Sequence, residues 1–78
     1  MKPRREFRDY LADMLDAARK AQRFTEGLDF DEFCANDEKT FAVVRALEII
    51  GEAAKHLPAY VRKRHPEVPW QDIIRNAR

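Results

Sequence analysis

Apolar residues in the N-terminal part of the chain recur at spacings of three and four. This pattern predicts a long amphipathic helix from about Arg5 to about Glu26. The positions that form its apolar stripe are Phe7, Tyr10, Leu11, Met14, Leu15, Ala18, Ala21 and Phe24. Gly27 follows the last of them, at a place where the end of a helix favours glycine.

A second long helix is predicted from Asn36 or Asp37, either of which is a good N-cap, to Leu57. It ends there because Pro58 lacks the backbone N–H that a further helical turn requires. Since no segment alternates between apolar and polar residues as a strand does, the chain is expected to be all-α.

Three short helical segments complete the predicted elements. Asp29 is expected to be the N-cap of the first, with Glu32 three residues later as its capping-box partner. The second covers Ala59 to Arg64, and the third opens at Pro69-Trp70. No C-cap follows this last helix before Arg78, so it is expected to be incomplete.

The second long helix is apolar over most of its circumference, which requires cover on several sides. The chain offers only one other long helix, so the remaining cover is predicted to be a second copy of the molecule. We therefore expect an antiparallel helical bundle that homodimerisation completes. Gly51 fits this interpretation, because glycine inside a helix is tolerable where another backbone approaches closely. The expected interface residues are Phe41, Val44, Leu47, Ile50, Gly51 and Ala54.

The same helix carries one narrow polar stripe, formed by Arg45, Glu48, Glu52, Lys55 and His56. One interpretation is a solvated face in which charges three or four residues apart stabilise the helix slightly. The other is a polar wall that lines a groove between helices. A metal site made of Glu48, Glu52 and His56 is a third and weaker hypothesis, because no second helix supplies matching ligands.

The length and composition of the chain limit the possible kinds of protein. The 78 residues make one small domain, 1–78, whose own core gives a thin margin of stability. With 15 Lys and Arg against 14 Asp and Glu, the chain as a whole lacks the basic field typical of nucleic-acid binders. It has no apolar run long enough to span a membrane and no signal-peptide core, so a cytoplasmic protein with no membrane partner is expected.

Three further features have both a structural and a functional interpretation. The run Arg62-Lys63-Arg64-His65 is more often a solvated charge run than a phosphate site. Trp70 is expected to be a core anchor rather than a base-stacking platform. Cys34 is expected to be a small buried residue rather than a nucleophile, since no base is placed beside it by the sequence.

Two blocks of the sequence resemble the HepT-like branch of the HEPN superfamily. They are Arg45-Ala46-Leu47-Glu48-Ile49-Ile50-Gly51-Glu52-Ala53 and His65-Pro66-Glu67-Val68-Pro69-Trp70. Earlier segments, Arg8 to Leu15 and Asp31 to Phe33, agree with this resemblance.

The resemblance implies a homodimeric helical bundle and a metal-independent ribonuclease without a cofactor. Such proteins serve as toxins beside a minimal nucleotidyltransferase antitoxin, and single-stranded RNA is the substrate when the active site is complete. Their catalytic signature is an Arg followed after four to six residues by a His, beyond the Pro-Trp block. Only Arg78 can be that Arg here, one residue out of the usual register, and no His follows Trp70.

Two hypotheses about function follow. The first is the toxin component of a toxin-antitoxin system, in which this chain is inactive because the motif is incomplete. Arg45, Glu48 and Glu52 are then expected on the wall of the cleft, where they support the catalytic helix. The alternative is a non-catalytic helical dimer that acts as a binding module for a nucleotidyltransferase partner.

Overall fold

The structure is a computed structural model that describes residues 5–77. Its elements are α1 (Phe7–Thr25), α2 (Phe30–Ala35), α3 (Asp37–Lys55), α4 (Ala59–Lys63) and α5 (Trp70–Arg75). No strand occurs within these residues, so the expectation of an all-α fold with two long and several short helices is confirmed.

Helices α1, α2 and α3 begin at residues that form capping interactions with the first turn, whereas α4 and α5 have no side-chain cap. Glu6 and Asp9 form a capping box at the start of α1, and Asp29 and Glu32 form the predicted one at the start of α2. Asn36 is the N-cap of α3 and accepts a hydrogen bond from the N–H of Lys39.

The second long helix ends two residues earlier than predicted. α3 stops at Lys55, and His56 and Leu57 form a closing turn through hydrogen bonds to the carbonyls of Ala53 and Ala54. The cause is Pro58, because a residue that precedes proline is disfavoured in the helical conformation. The side chain of Leu57 nevertheless points inward and is only 2% exposed.

The long helices α1 and α3 pack against each other, and α5 and α2 contact α3 at other places. The buried apolar residues are Ala17, Ala46, Ala53, Ala54 and Leu57. Four of them are alanines, so the helices approach closely but bury little apolar surface per residue. Larger apolar side chains remain partly exposed on α1 and α3, which agrees with the thin margin of stability expected from chain length.

Cys34 corrects one expectation. It is exposed on α2 rather than buried, because this single-turn helix makes few contacts with α3 and buries none of its residues completely. Within residues 5–77, neither long helix is apolar enough to cross a membrane.

Candidate functional site

A groove runs along one side of the α1–α3 pair, and we call its polar part the polar groove. It encloses about 330 Å³. Its lining residues are Arg5, Tyr10, Asp13, Arg45, Ile49, Glu52, Ala53 and His56. A more apolar stretch of about 440 Å³ shares Asp13, Arg45 and Ile49 with it, so the two parts form one continuous groove.

The polar stripe of α3 therefore divides between two surroundings. Arg45, Glu52 and His56 line the polar groove, whereas Glu48 does not and has its Oε2 atom buried. Glu52 also lies within ion-pair distance of two neighbours, 3.6 Å from Lys55 Nζ and 3.9 Å from His56 Nε2. Both interpretations of the stripe are thus partly realised, because its helix-stabilising pairs occupy the wall of a groove.

At one end of the polar groove, three flat groups are layered. The guanidinium of Arg5 lies 4.4 Å from the centre of the Tyr10 ring. On α3, the His56 ring stacks on Tyr10 with 4.5 Å between centroids and 12° between planes. A 2.8 Å hydrogen bond from Arg5 Nη2 to Asp13 Oδ2 holds the outer layer, and this carboxylate raises the pKa of Arg5 above its ordinary value.

Sequence reasoning missed the contact between Tyr10 and His56, because the contact depends on the register between α1 and α3. When two helices pair in antiparallel fashion, the residue numbers of facing positions add to a nearly constant value. Phe24 and Ala42 line the groove together, and so do Ala17 and Ala46. The same register predicts that Tyr10 faces His56.

Gly51 lies where α5 crosses α3. A Cβ atom at this position would lie 2.6 Å from the carbonyl oxygen of Ile73 and 2.8 Å from the nitrogen of Ala77. The close backbone approach expected from the sequence is therefore present, but the approaching backbone belongs to the same chain. Ala54 is likewise fully buried within the chain. These two positions of the expected dimer interface are thus covered by the chain itself.

The remaining interface candidates lie on open surface or near it. Phe41 is 76% exposed, Val44 48% and Leu47 43%, and Ile50 is half-buried. Such a row of apolar side chains on one helix leaves surface that a partner would cover.

The residue expected to be catalytic, Arg78, lies outside the described residues. Arg75, the nearest described Arg, is exposed and forms a 3.4 Å ion pair with Asp72. His65 lies 3.5 Å from Glu67 on the surface, and His56 stacks in the polar groove. Neither histidine follows Trp70 in the chain.

No cluster of three or more potential metal ligands occurs within residues 5–77. The hypothetical ligand set of Glu48, Glu52 and His56 is therefore not assembled, because Glu48 lies away from the groove wall that holds the other two.

Trp70 ties α5 to α4. Its indole Nε1–H lies 3.0 Å from the carbonyl oxygen of His65 and 3.1 Å from that of Arg62, and it donates to both. The side chain is half-buried. This arrangement is that of an anchor, as the sequence predicted.

The family model described as "Ribonuclease HepT-like" matches residues 14–76 of this chain. The chain is 42% identical over 72 residues to a protein of Thermococcus cleftensis named "Probable ribonuclease HepT", a match that covers 92% of this chain and 66% of that one. It is 38% identical over 71 residues to a protein of Methanocaldococcus jannaschii named as a candidate RNase, which covers 91% and 65% of the two chains. The chain thus spans slightly less than two thirds of the length of these relatives. No solved structure matches it.

Proposed function

The chain belongs to the HepT-like ribonuclease family, and on that premise we propose that it forms the helical framework of an endoribonuclease that cleaves single-stranded RNA without a metal ion. The family membership and the all-α fold expected from the sequence are both confirmed. The activity, the substrate and the partners are the substance of the proposal.

The observation that carries the proposal is the close packing of α5 on α3. The backbone of Ala77 lies against Gly51, so the chain leaves α5 beside the block from Arg45 to Ala53 that carries the resemblance. Glu48 precedes Gly51 by one helical turn on the adjoining face of α3. In the proposed enzyme the catalytic Arg follows directly, and Glu48 and Glu52 support the segment that carries it.

The chemistry uses one Arg and one His. The Arg holds the scissile phosphate through its planar fork of N–H donors and stabilises the charge that develops on the phosphate oxygens. The His takes the proton of the RNA 2′-hydroxyl as that oxygen attacks the phosphorus. The bond from phosphorus to the 5′-oxygen breaks, the 5′-oxygen takes up a proton, and a 2′,3′-cyclic phosphate remains. Arg78 is the proposed Arg. Because no His follows Trp70 in the 78 residues, this chain by itself is proposed to be inactive.

A chimera tests the activity. The aligned part of the Thermococcus cleftensis relative is replaced by this chain, and cleavage of end-labelled single-stranded RNA is followed in the presence of EDTA. We expect cleavage by the chimera and by the relative, and none by the 78-residue chain. A folded chimera that leaves RNA intact while the relative cleaves it would contradict the proposal. Cleavage by the chain alone, lost in Arg78→Ala, would contradict its inactivity.

The proposal includes a homodimer of a cytoplasmic toxin-antitoxin system whose antitoxin is a minimal nucleotidyltransferase. Support for the dimer comes from the exposed apolar row of Phe41, Val44 and Leu47 on α3. Light scattering at micromolar concentration is expected to give twice the mass of the chain. Leu47→Glu should give the monomer mass without loss of helicity, because a carboxylate is costly to bury in an apolar interface. A monomer in the unaltered protein would remove the dimer from the proposal.

A second candidate function is a non-catalytic binding module for a nucleotidyltransferase. The same exposed row favours it, since this surface suits a protein partner whether or not RNA is cleaved. The chimera separates the two candidates. If it is dimeric and binds a co-expressed nucleotidyltransferase but never cleaves RNA, the binding module is the better description.

A further inference from the structure

A strongly basic surface lies at the end of the molecule formed by α4 and the start of α5. Between residues 53 and 66 the chain carries Lys55, Arg62, Lys63 and Arg64 and no Asp or Glu. The net charge of the whole chain is only +1, so charge is distributed unevenly along it. Local excess of this kind attracts phosphate groups even where overall composition does not predict it.

The basic side chains of α4 are not neutralised by the protein. Within residues 5–77 no carboxylate forms an ion pair with Arg62, Lys63 or Arg64, whereas Arg5, Lys20 and others are paired. The Nε atom of Arg62 is buried and has no hydrogen-bond partner among the described residues.

A small groove receives two of these side chains. It encloses about 300 Å³ and is lined by Ala59, Arg62, Lys63, Trp70 and Gln71. The Trp70 side chain, which lines this groove, is held in place because its indole N–H donates to the carbonyls of Arg62 and His65. The basic residues are thereby held on a backbone that is already ordered, which lowers the entropic cost of binding a ligand.

An exposed aromatic ring accompanies the positive charge. Tyr60 is 56% exposed and lies three and four residues before Lys63 and Arg64, so the three side chains share one side of α4. Its ring meets Phe7 of α1 edge to face, with 6.3 Å between centroids. A supported aromatic ring beside unpaired cations is the combination that binds single-stranded nucleic acid, in which bases stack and phosphates are neutralised.

We infer that Tyr60, Lys63 and Arg64 form a binding site for single-stranded RNA, which continues past Lys63 into the groove that holds Arg62; the cations hold phosphates and Tyr60 stacks on a base. This inference rests on the proposed function and names the surface that takes its substrate. α5, about 9 Å long, separates this site from Ala77, after which the catalytic segment is proposed. RNA bound on α4 would therefore lie within a short distance of the proposed catalytic segment.

The test uses the 78-residue chain in EDTA and a 5′-fluorescein-labelled oligouridine of about twenty nucleotides, with anisotropy as the readout of binding. Lys63→Ala/Arg64→Ala is expected to weaken binding at least tenfold. The slope of log K against log salt should become shallower by about 1.4, because each neutralised phosphate contributes about 0.7 for a single strand. Tyr60→Ala should weaken binding severalfold, and Tyr60→Phe, which keeps the ring, should not.

A charge-matched control separates a site from general attraction. Arg19→Ala/Arg23→Ala removes the same charge from exposed positions of α1 that form no ion pair among the described residues. It should change affinity less than twofold. Equal losses in the two double variants, or no RNA binding by the unaltered chain, would overturn the inference. Circular dichroism checks that every variant remains helical.

The alternative ligand is an acidic protein surface. Under that alternative, polyglutamate displaces the oligouridine as effectively as unlabelled RNA does, and Tyr60→Ala binds RNA normally; this result would also overturn the inference. Because binding is measured without cleavage, the outcome is separable from that of the chimera. A chimera that cleaves RNA equally well with and without Lys63→Ala/Arg64→Ala refutes the site alone, whereas an inactive chimera with intact site-dependent binding refutes the activity alone.

Discussion

The two halves of α3 are similar in sequence character but differ in surroundings. Both are rich in apolar residues. From its N-terminal end to just past its middle, Phe41, Val44 and Leu47 remain exposed at the surface. In the C-terminal half and its closing turn, Gly51, Ala54 and Leu57 are buried. The difference is that α5 crosses α3 at Gly51, in the C-terminal half.

This contrast shows how a helix can be apolar on most sides without being one uniform interface. The covered half uses small residues, because two backbones cross there at close range. The open half uses large side chains, which bury substantial area only when a partner arrives. Gly51 and Ala54 thus lie on surface that the chain covers itself, whereas Phe41, Val44 and Leu47 lie on surface that it leaves open.

The largest expected effect comes from truncating the same residue type in each half. Leu57→Ala should lower the free energy of unfolding by about 2–5 kcal/mol, because it leaves a cavity at a buried site. Leu47→Ala should cost about 1 kcal/mol or less, since this side chain is 43% exposed. Urea denaturation followed by circular dichroism measures both.

Repeating the two measurements at several protein concentrations distinguishes the effect of Leu47→Ala from that of Leu57→Ala. If Leu47 lies in a dimer interface, the cost of Leu47→Ala should grow as concentration rises, whereas the cost of Leu57→Ala should stay constant. Equal costs for both variants at low concentration would mean that the two halves do not differ as described.

A smaller change in the free energy of unfolding is expected for Gly51→Ala, and its sign distinguishes two explanations. Helix propensity alone predicts that Gly51→Ala stabilises α3 by about 1 kcal/mol. The added Cβ would meet the backbone of α5, so we expect destabilisation by about 1–3 kcal/mol instead. The midpoint of urea denaturation shows which occurs: it rises if the variant is stabilised and falls if it is destabilised. Val44→Ala, which meets no second backbone, should change stability by about 0.5 kcal/mol or less.

The smallest effect concerns the anchor that starts α5. Trp70→Phe removes the indole N–H that donates to two carbonyls of the preceding segment, and should cost about 1 kcal/mol. Thermal unfolding measures the loss. Tyr60→Phe removes a hydroxyl that makes no hydrogen bond within the described residues, so its melting temperature should match that of the unaltered protein.

The helix starts and stops could be predicted because they depend on residues close together in the sequence. The capping pairs at Asp29 and Glu32, the N-cap at Asn36 and the stop before Pro58 each depend on residues within one turn of each other. The end of α3 was misplaced by two residues, since Pro58 acts on the conformation of the residue before it as well as on its own. Cys34 was wrongly expected to be buried, because the sequence does not show how little of α2 would contact α3.

The candidate site was predictable only in part. The polar stripe follows from helical spacing, and Glu52 forms charge pairs with Lys55 and His56, three and four residues later. The stack of Arg5, Tyr10 and His56 joins the N-terminal end of α1 to the C-terminal end of α3, which are far apart in sequence. Spacing within a helix carries no information about such a contact, which requires the register between helices.

The all-α class, the starts of the helices and the family could be predicted from the sequence alone, because periodicity, capping and motif blocks are properties of neighbouring residues. Tertiary structure decided which surfaces are used. It assigned Gly51 to an intrachain crossing and left Phe41 exposed, and it set Lys63 and Arg64 beside an exposed Tyr60. The physical reason is that an apolar or charged side chain has no preferred partner until helices from distant parts of the chain pack together.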